Sequence, residues 1–170
     1  MLYTNSTENL IGLQDLIIKK IETDDKEIHI YGQLERKPHK CPFCEAETTT
    51  IHDYREQVIK DIPLYDKHAF IHLKKRRYRC GCGKRFYETN SFLPKYHRRT
   101  NRLSAHILDR LRKLITFTDV AKEVNLSTTT VMRTFDLVSY APRQLPTTLS
   151  IDEFKGNTNK EKYQCIITDP

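Results

Sequence analysis

The sequence predicts an α+β chain, β-rich up to residue 99, helical from 100 to 140 and returning to strand near position 150. Three observations predict it. Two close cysteine pairs, Cys41-Pro42-Phe43-Cys44 and Cys80-Gly81-Cys82, bracket a region of alternating apolar and polar residues with β-branched and aromatic side chains. Apolar residues at 103, 107, 108, 111, 114 and 115 fall on one stripe of a helix. Pro142 and Pro146 then interrupt the chain before two short apolar runs.

A chain of 170 residues holds one or two domains, and 38% hydrophobic content suffices for small cores. The net charge of +7 is uneven: residues 1–36 carry −3, residues 37–113 carry +11 and residues 114–170 carry −1. A positive block between near-neutral flanks suits a polyanion, most often nucleic acid. No stretch reaches the length of a membrane span, and no basic start leads into an apolar run. The chain therefore reads as cytoplasmic, and its five cysteines point to metal rather than to disulfides.

Residues 1–36 predict a short helix, capped by Ser6 or Thr7, and a hairpin of strands over 16–21 and 27–31 joined by a turn at 23–26. This module is expected to pack against a β domain over 37–99. There the four thiolates of Cys41, Cys44, Cys80 and Cys82 match the number a structural zinc ion takes, and Gly81 and Gly83 permit the sharp turn that the short second pair needs. His39 and His52 are substitute ligands if one thiolate is excluded. Cys165, in an apolar run, reads as a small core residue. On this reading a chelator unfolds residues 37–90 and leaves the helices 101–140 mostly intact.

Between the pairs, 48–54 and 57–62 read as short strands, the second ended by Pro63, and 68–78 reads as the longest strand. Alternation places Lys75, Arg77 and Arg79 on one side and Lys74 and Arg76 on the other. Lys74, Lys75, Arg76 and Arg77 are thus candidates to meet phosphate. The connector 84–100 adds Arg98 and Arg99, with Phe86, Tyr87, Phe92 and Tyr96 among its cations. Those aromatics either stack on bases or sugars or anchor the connector to the β domain.

Residues 101–140 predict three helices: 101–115, 119–124 capped by Thr118, and 128–138 capped by Ser127. Ala121, Asn125, Leu126 and Val131 occupy the positions a helix-turn-helix needs: a small residue where helices cross, a turn residue, and two fillers of the joint. With Val131, Phe135 and Val138 inward, Thr129, Met132 and Arg133 face outward. Thr128 lies in the first turn. Such residues reach base edges in a major groove, and Arg133 suits guanine. Residues 148–154 and 163–168 read as a terminal hairpin.

The chain sets out in order the Cys-Pro-x-Cys knuckle, Asp61-Ile62-Pro63, Arg76-Arg77-Tyr78-Arg79-Cys80, Arg85-Phe86-Tyr87-Glu88, the helix-turn-helix and Ser150-Ile151-Asp152-Glu153-Phe154. This series resembles the N-terminal region of insertion-sequence transposases of the ISL-three type. The short Cys80-Gly81-Cys82 pair departs from the longer spacing that relatives often have. The resemblance implies a zinc-binding domain, a helix-turn-helix on double-stranded DNA at the element's terminal inverted repeats, and, over 147–170, the start of an RNase H-like domain. It implies that Asp152 is the first catalytic aspartate, with Glu153 on the opposite face. Asp169 sits as a turn residue. Mg2+ is implied only for a complete catalytic domain. The expectation is a truncated transposase that binds DNA, alone, as a homodimer or beside a full-length enzyme; the alternative is a catalytically inactive regulator or competitor.

Overall fold

The computed structural model describes residues 11–13, 15–113, 115–139, 150–156 and 163–168. Ser6, Thr7, the linker 141–146 and Asp169 lie outside them. The chain divides into a unit over Met1–Leu137 and a second over Val138–Pro170.

In the first unit β1 (Leu16–Thr23) and β2 (Glu27–Leu34) form the expected antiparallel hairpin. Its turn is closed by the Asp24 carboxylate, which accepts from the N–H groups of Lys26 and Glu27 at 2.8 Å each. β1 bulges between Ile18 and Lys20, beside Gly32, where an added Cβ would lie 2.9 Å from the Ile17 carbonyl oxygen. The expectation of a separate 1–36 module is corrected here. β2 pairs in parallel with β6 (Lys67–Arg79), and β6 pairs in turn with β5 (Ile51–Leu64), so the hairpin is part of a five-stranded sheet with the order β1-β2-β6-β5 along its main path. That pairing joins residues about forty apart in sequence, which local pattern does not encode.

The two strands expected over 48–54 and 57–62 are one, β5 (Ile51–Leu64), and Pro63 sits in a register shift instead of ending it. Tyr65 and Asp66, both at positive φ (52° and 60°), turn the chain into β6, the geometry that matches strand twist in a two-residue hairpin. Short β3 (His39–Lys40) and β4 (Glu47–Thr48) pair with each other. β7 (Arg85–Tyr87) pairs with the end of β6.

β6 buries opposite faces at its two ends. Ala69, Ile71 and Leu73 are buried, and Ile71 and Leu73 join Ile28, Ile30, Ile59, Phe92 and Leu93 in one core. Past Leu73 the buried residues are Arg76 and Tyr78, on the other face. Phe92 and Leu93 thus anchor the connector to the sheet; Tyr87 and Tyr96 stay exposed.

The helices are α1 (Asn101–Leu111), α2 (Phe117–Glu123) and α3 (Thr128–Phe135). Their N-caps are Thr100, Thr116 and Ser127, each accepting from a backbone N–H three residues on. Thr116, not Thr118, caps α2. α2 ends as a Schellman turn: Asn125 has φ 52°, its N–H reaches the Lys122 carbonyl at 3.3 Å, and the Leu126 N–H reaches Ala121 at 2.9 Å. Leu103, Ile107, Val120, Ala121, Val124 and Val131 form the helical core, with Ile62 of β5 packed against it. Thr134 is buried and Phe135 half-buried, so the inward stripe of α3 includes a threonine the pattern missed. Thr134 satisfies its hydroxyl on the Thr130 carbonyl at 2.8 Å.

In the second unit β8 (Ser150–Lys155) pairs antiparallel with β9 (Tyr163–Thr168).

Candidate metal centre and nucleic-acid interface

The structure brings the Sγ atoms of Cys41, Cys44, Cys80 and Cys82 within 4.8 Å of one another. Cys41 lies 3.7 Å from Cys82, and Cys44 lies 3.5 Å from Cys80. Four sulfurs about 2.3 Å from one zinc ion at tetrahedral angles lie about 3.8 Å apart. The donor set and spacing fit structural zinc.

Each pair sits on a backbone turn that ends at positive φ, 60° at Glu45 and 85° at Gly83. The Glu45 N–H donates to the Cys41 carbonyl at 3.0 Å, and the Gly83 N–H to the Cys80 carbonyl at 3.0 Å. The second turn is one residue shorter, which is how Cys-Gly-Cys still presents two sulfurs to one point. A residue with a Cβ is strained at such a φ, and Gly83 removes that strain.

Without metal the thiols are unequal. Burial pushes Cys41 up, but the N–H groups of Cys44 and Phe43 and the neighbouring thiols outweigh it and bring it to about 7. For Cys44 the Ala46 N–H favours the thiolate, yet the Cys80 and Cys82 thiols push it up to about 12. A divalent cation removes that conflict by accepting all four as thiolates. His39 and His52 are outside the cluster. His39 packs on Tyr78, ring centroids 4.6 Å apart, and His52 lies 3.9 Å from Asp53.

The expected basic strand divides. Lys74 is exposed, its Nζ 4.7 Å from the Tyr54 ring centroid. Lys75 and Arg77 are half-buried over Tyr87, and Arg77 lies 3.6 Å from Asp53. Arg76 is the correction: expected at phosphate, it is 4% exposed. β2 holds one edge of β6 only as far as Leu73, and β7 takes over at Arg77. Arg76 fills the gap. Its N–H donates to Glu88 Oε1 at 2.9 Å, and its Nη1 donates to the Leu34 carbonyl at 2.9 Å and to Glu88 Oε2 at 3.1 Å. Glu88, fully buried, was not anticipated; a carboxylate twelve residues from its partner gives no local signal.

A second buried carboxylate ties sheet to helices. Asp61 accepts from Thr100 Oγ1 at 2.6 Å and from Arg102 Nε at 2.8 Å, and its other oxygen pairs with Arg102 Nη2. Thr100 also caps α1, so one hydroxyl fixes the helix start to β5. Alongside, the Lys60 N–H donates to the Arg98 carbonyl at 2.9 Å and the Thr100 N–H to the Lys60 carbonyl at 3.0 Å. These bonds hold Arg98 and Arg99 next to the helix-turn-helix. Arg98 is exposed; half-buried Arg99 donates from Nε to Ser104 Oγ at 3.1 Å.

On α3, Thr129, Met132 and Arg133 are exposed and Thr128 is half-buried, while Val131 and Thr134 face the core. In the second unit Asp152 is exposed on β8 opposite Ile166, and Glu153 is opposite Cys165. Cys165 is exposed, not a core residue: β8 and β9 bury little of their apolar surface. Among the described residues no helix is long and apolar enough to cross a membrane.

Residues 37–82 match the zinc-finger of transposase IS204/IS1001/IS1096/IS1165, and residues 88–138 match the helix-turn-helix domain of transposase family ISL3. Over 108 residues, 61% of the chain, there is 27% identity to the transposase for insertion sequence element IS1001 of Bordetella parapertussis. The chain spans 27% of that relative's length. No solved structure matches.

Proposed function

We propose that this chain, the N-terminal region of an ISL3-type transposase, docks on the terminal inverted repeats of an insertion sequence with α3 in a major groove. The observation that carries this reading is the presentation of α3. A Schellman turn locks α2 against it, Val131 and Thr134 bury one side, and Thr129, Met132 and Arg133 are left facing out from its first two turns. Arg133 offers the bidentate fork that guanine takes, and Thr128 and Thr129 are short enough to let the helix approach base edges. Lys74, Lys75, Arg77, Arg98 and Arg99 supply sequence-independent attraction to phosphate. Zinc in this reading is structural: four thiolates complete its tetrahedron and leave no open position for chemistry.

The activity assigned to these residues is binding. Strand cleavage by two metal ions needs several converging carboxylates, and Asp152 would be the first of them, with Mg2+ joining only in a complete catalytic domain. In this reading the region serves transposition as its DNA-recognition part, or competes with a transposase for the repeats. Footprinting of the zinc-loaded protein on DNA carrying the repeats tests this. Protection centred on the repeats, relaxed at one base pair by Arg133→Gln, is expected. Uniform protection without sequence preference would refute it, and robust nicking with Mg2+ or Mn2+ would refute the binding-only role.

A further inference from the structure

Beside α3 the protein has a groove of about 350 Å3 lined by the apolar Val58, Phe70 and Leu126 and by Lys60, Arg98, Arg99 and Thr130. We propose that this groove seats one sugar–phosphate step of the DNA strand that borders the major groove read by α3. The proposal rests on the DNA-binding reading above and adds the contact that would set the angle at which α3 enters.

The charge pattern points to an anion. Three other arginines of this unit are neutralised by carboxylates: Arg76 by Glu88 at 3.1 Å, Arg102 by Asp61 and Arg110 by Glu123 at 2.9 Å. Lys60, Arg98 and Arg99 have no carboxylate within salt-bridge distance among the described residues. Three like charges around one concavity repel each other, and no acidic residue lines it. A phosphate removes that repulsion.

Their free donors are countable. Lys60 Nζ gives one hydrogen bond to the Asn125 carbonyl in the helix-turn-helix turn and keeps two. Arg99 uses Nε on Ser104 and keeps its terminal nitrogens. Arg98 is tied down through its backbone carbonyl alone, with its side chain exposed. The apolar part of the lining, Val58, Phe70 and Leu126, suits the face of a deoxyribose ring and not a free inorganic ion. The location is also apt. Thr130 lies on α3 itself, and the Lys60 contact to Asn125 places the groove against the turn that leads into that helix.

Phosphate-ethylation interference on a footprinted duplex, with wild type, Arg98→Gln and Lys60→Gln, tests this. In wild type one ethylated position flanking the α3 footprint should weaken binding. The same position should become indifferent in Arg98→Gln, whose log K against log salt should flatten by about 0.9 for one lost phosphate contact. Base preference should stay as in wild type, in contrast to Arg133→Gln. Because Lys60 also holds the Asn125 carbonyl, Lys60→Gln is scored only if its amide exchange in α2 and α3 matches wild type, and Arg98→Gln otherwise decides alone. An unchanged slope and interference pattern in Arg98→Gln overturns the seat while DNA binding stands. A wild-type protein that binds no duplex at low salt overturns both. Resonance shifts of Arg98 induced by inorganic phosphate that persist with DNA saturating would also overturn it, as would an RNA duplex bound equally well with the same response to Arg98→Gln.

Discussion

The two ends of the β5–β6 ladder are held by different physics. At one end Ile59, Ile71 and Leu73 are fully buried in an apolar core closed by Ile11, Leu13, Phe92 and Leu93. At the other, β3 and β4 are two residues long, Phe43 is 77% exposed, and the buried side chains are Tyr78, Arg76 and Glu88 with two of the four cysteines. Hydrophobic burial cannot hold two turns that bring so little apolar surface, whereas a metal ion can, because its bonds need four sulfurs and no volume. The difference teaches where each end should break.

The largest effect is expected from the thiols. Structural zinc contributes roughly 10–16 kcal/mol of binding free energy in small zinc modules. Cys44→Ser should therefore abolish stoichiometric zinc in mass spectrometry of the native protein, while far-ultraviolet circular dichroism keeps its helical signal. This sharpens the expectation from the sequence that a chelator would unfold 37–90: β5 and β6 pair with each other, β6 also pairs with β2, and Ile59, Ile71 and Leu73 fix them in the apolar core, so the loss should stop at the knuckles. Binding of zinc at neutral pH should also release at least the Cys44 proton, since that thiol is held at about 12 without metal. Calorimetry in buffers of different ionisation enthalpy reads that number directly.

Next come the core and the carboxylate that fastens helices to sheet. Ile71→Ala should cost about 3–4 kcal/mol in denaturant titration. Asp61→Ala should cost about 3 kcal/mol, because it leaves Arg102 without its partner and Thr100 without its acceptor. At the small end, Ser127→Ala should cost about 1 kcal/mol through the lost cap on Thr130, and Phe43→Ser should change stability by less than about 0.5 kcal/mol.

Acid should weaken the zinc end. Burial holds His39, packed on Tyr78, below its ordinary value. The unfolded chain then binds that proton more readily, so the contribution of His39 is full above about pH 6.5 and is lost as pH falls through its lower folded value. Protons also compete with zinc for the thiolates in the same direction. His39→Phe should reduce the pH dependence of unfolding between pH 7 and 5, and an unchanged profile would assign it to the thiols alone.

What was legible in the sequence was local. Four cysteines gave the metal cluster, alternation in Ile28 and Ile30 gave β2, and Ser127 and Asn125 gave a cap and a turn that the backbone bears out. What was not legible depended on partners distant in sequence. Arg76 resembled its neighbours Lys75 and Arg77, and only the end of β2 and the arrival of Glu88 make it structural. Lys60 carried one faint signal, alternating with core Ile59 in a strand, and only the packing of Asn125 over it shows what it faces. Thr118 lost to Thr116 because helix ends shift by a residue or two without changing the pattern.

Amide hydrogen exchange with zinc bound and with zinc removed tests the central claim most directly. Metal removal should strip protection from the amides of Cys41, Glu45, Cys80 and Gly83, whose partners lie in or beside the two knuckle turns, and leave the amides of Ile59, Ile71 and Leu103 as slow as before. Equal loss at all of these positions, or no loss at any, would contradict a molecule held by metal at one end and by its core at the other.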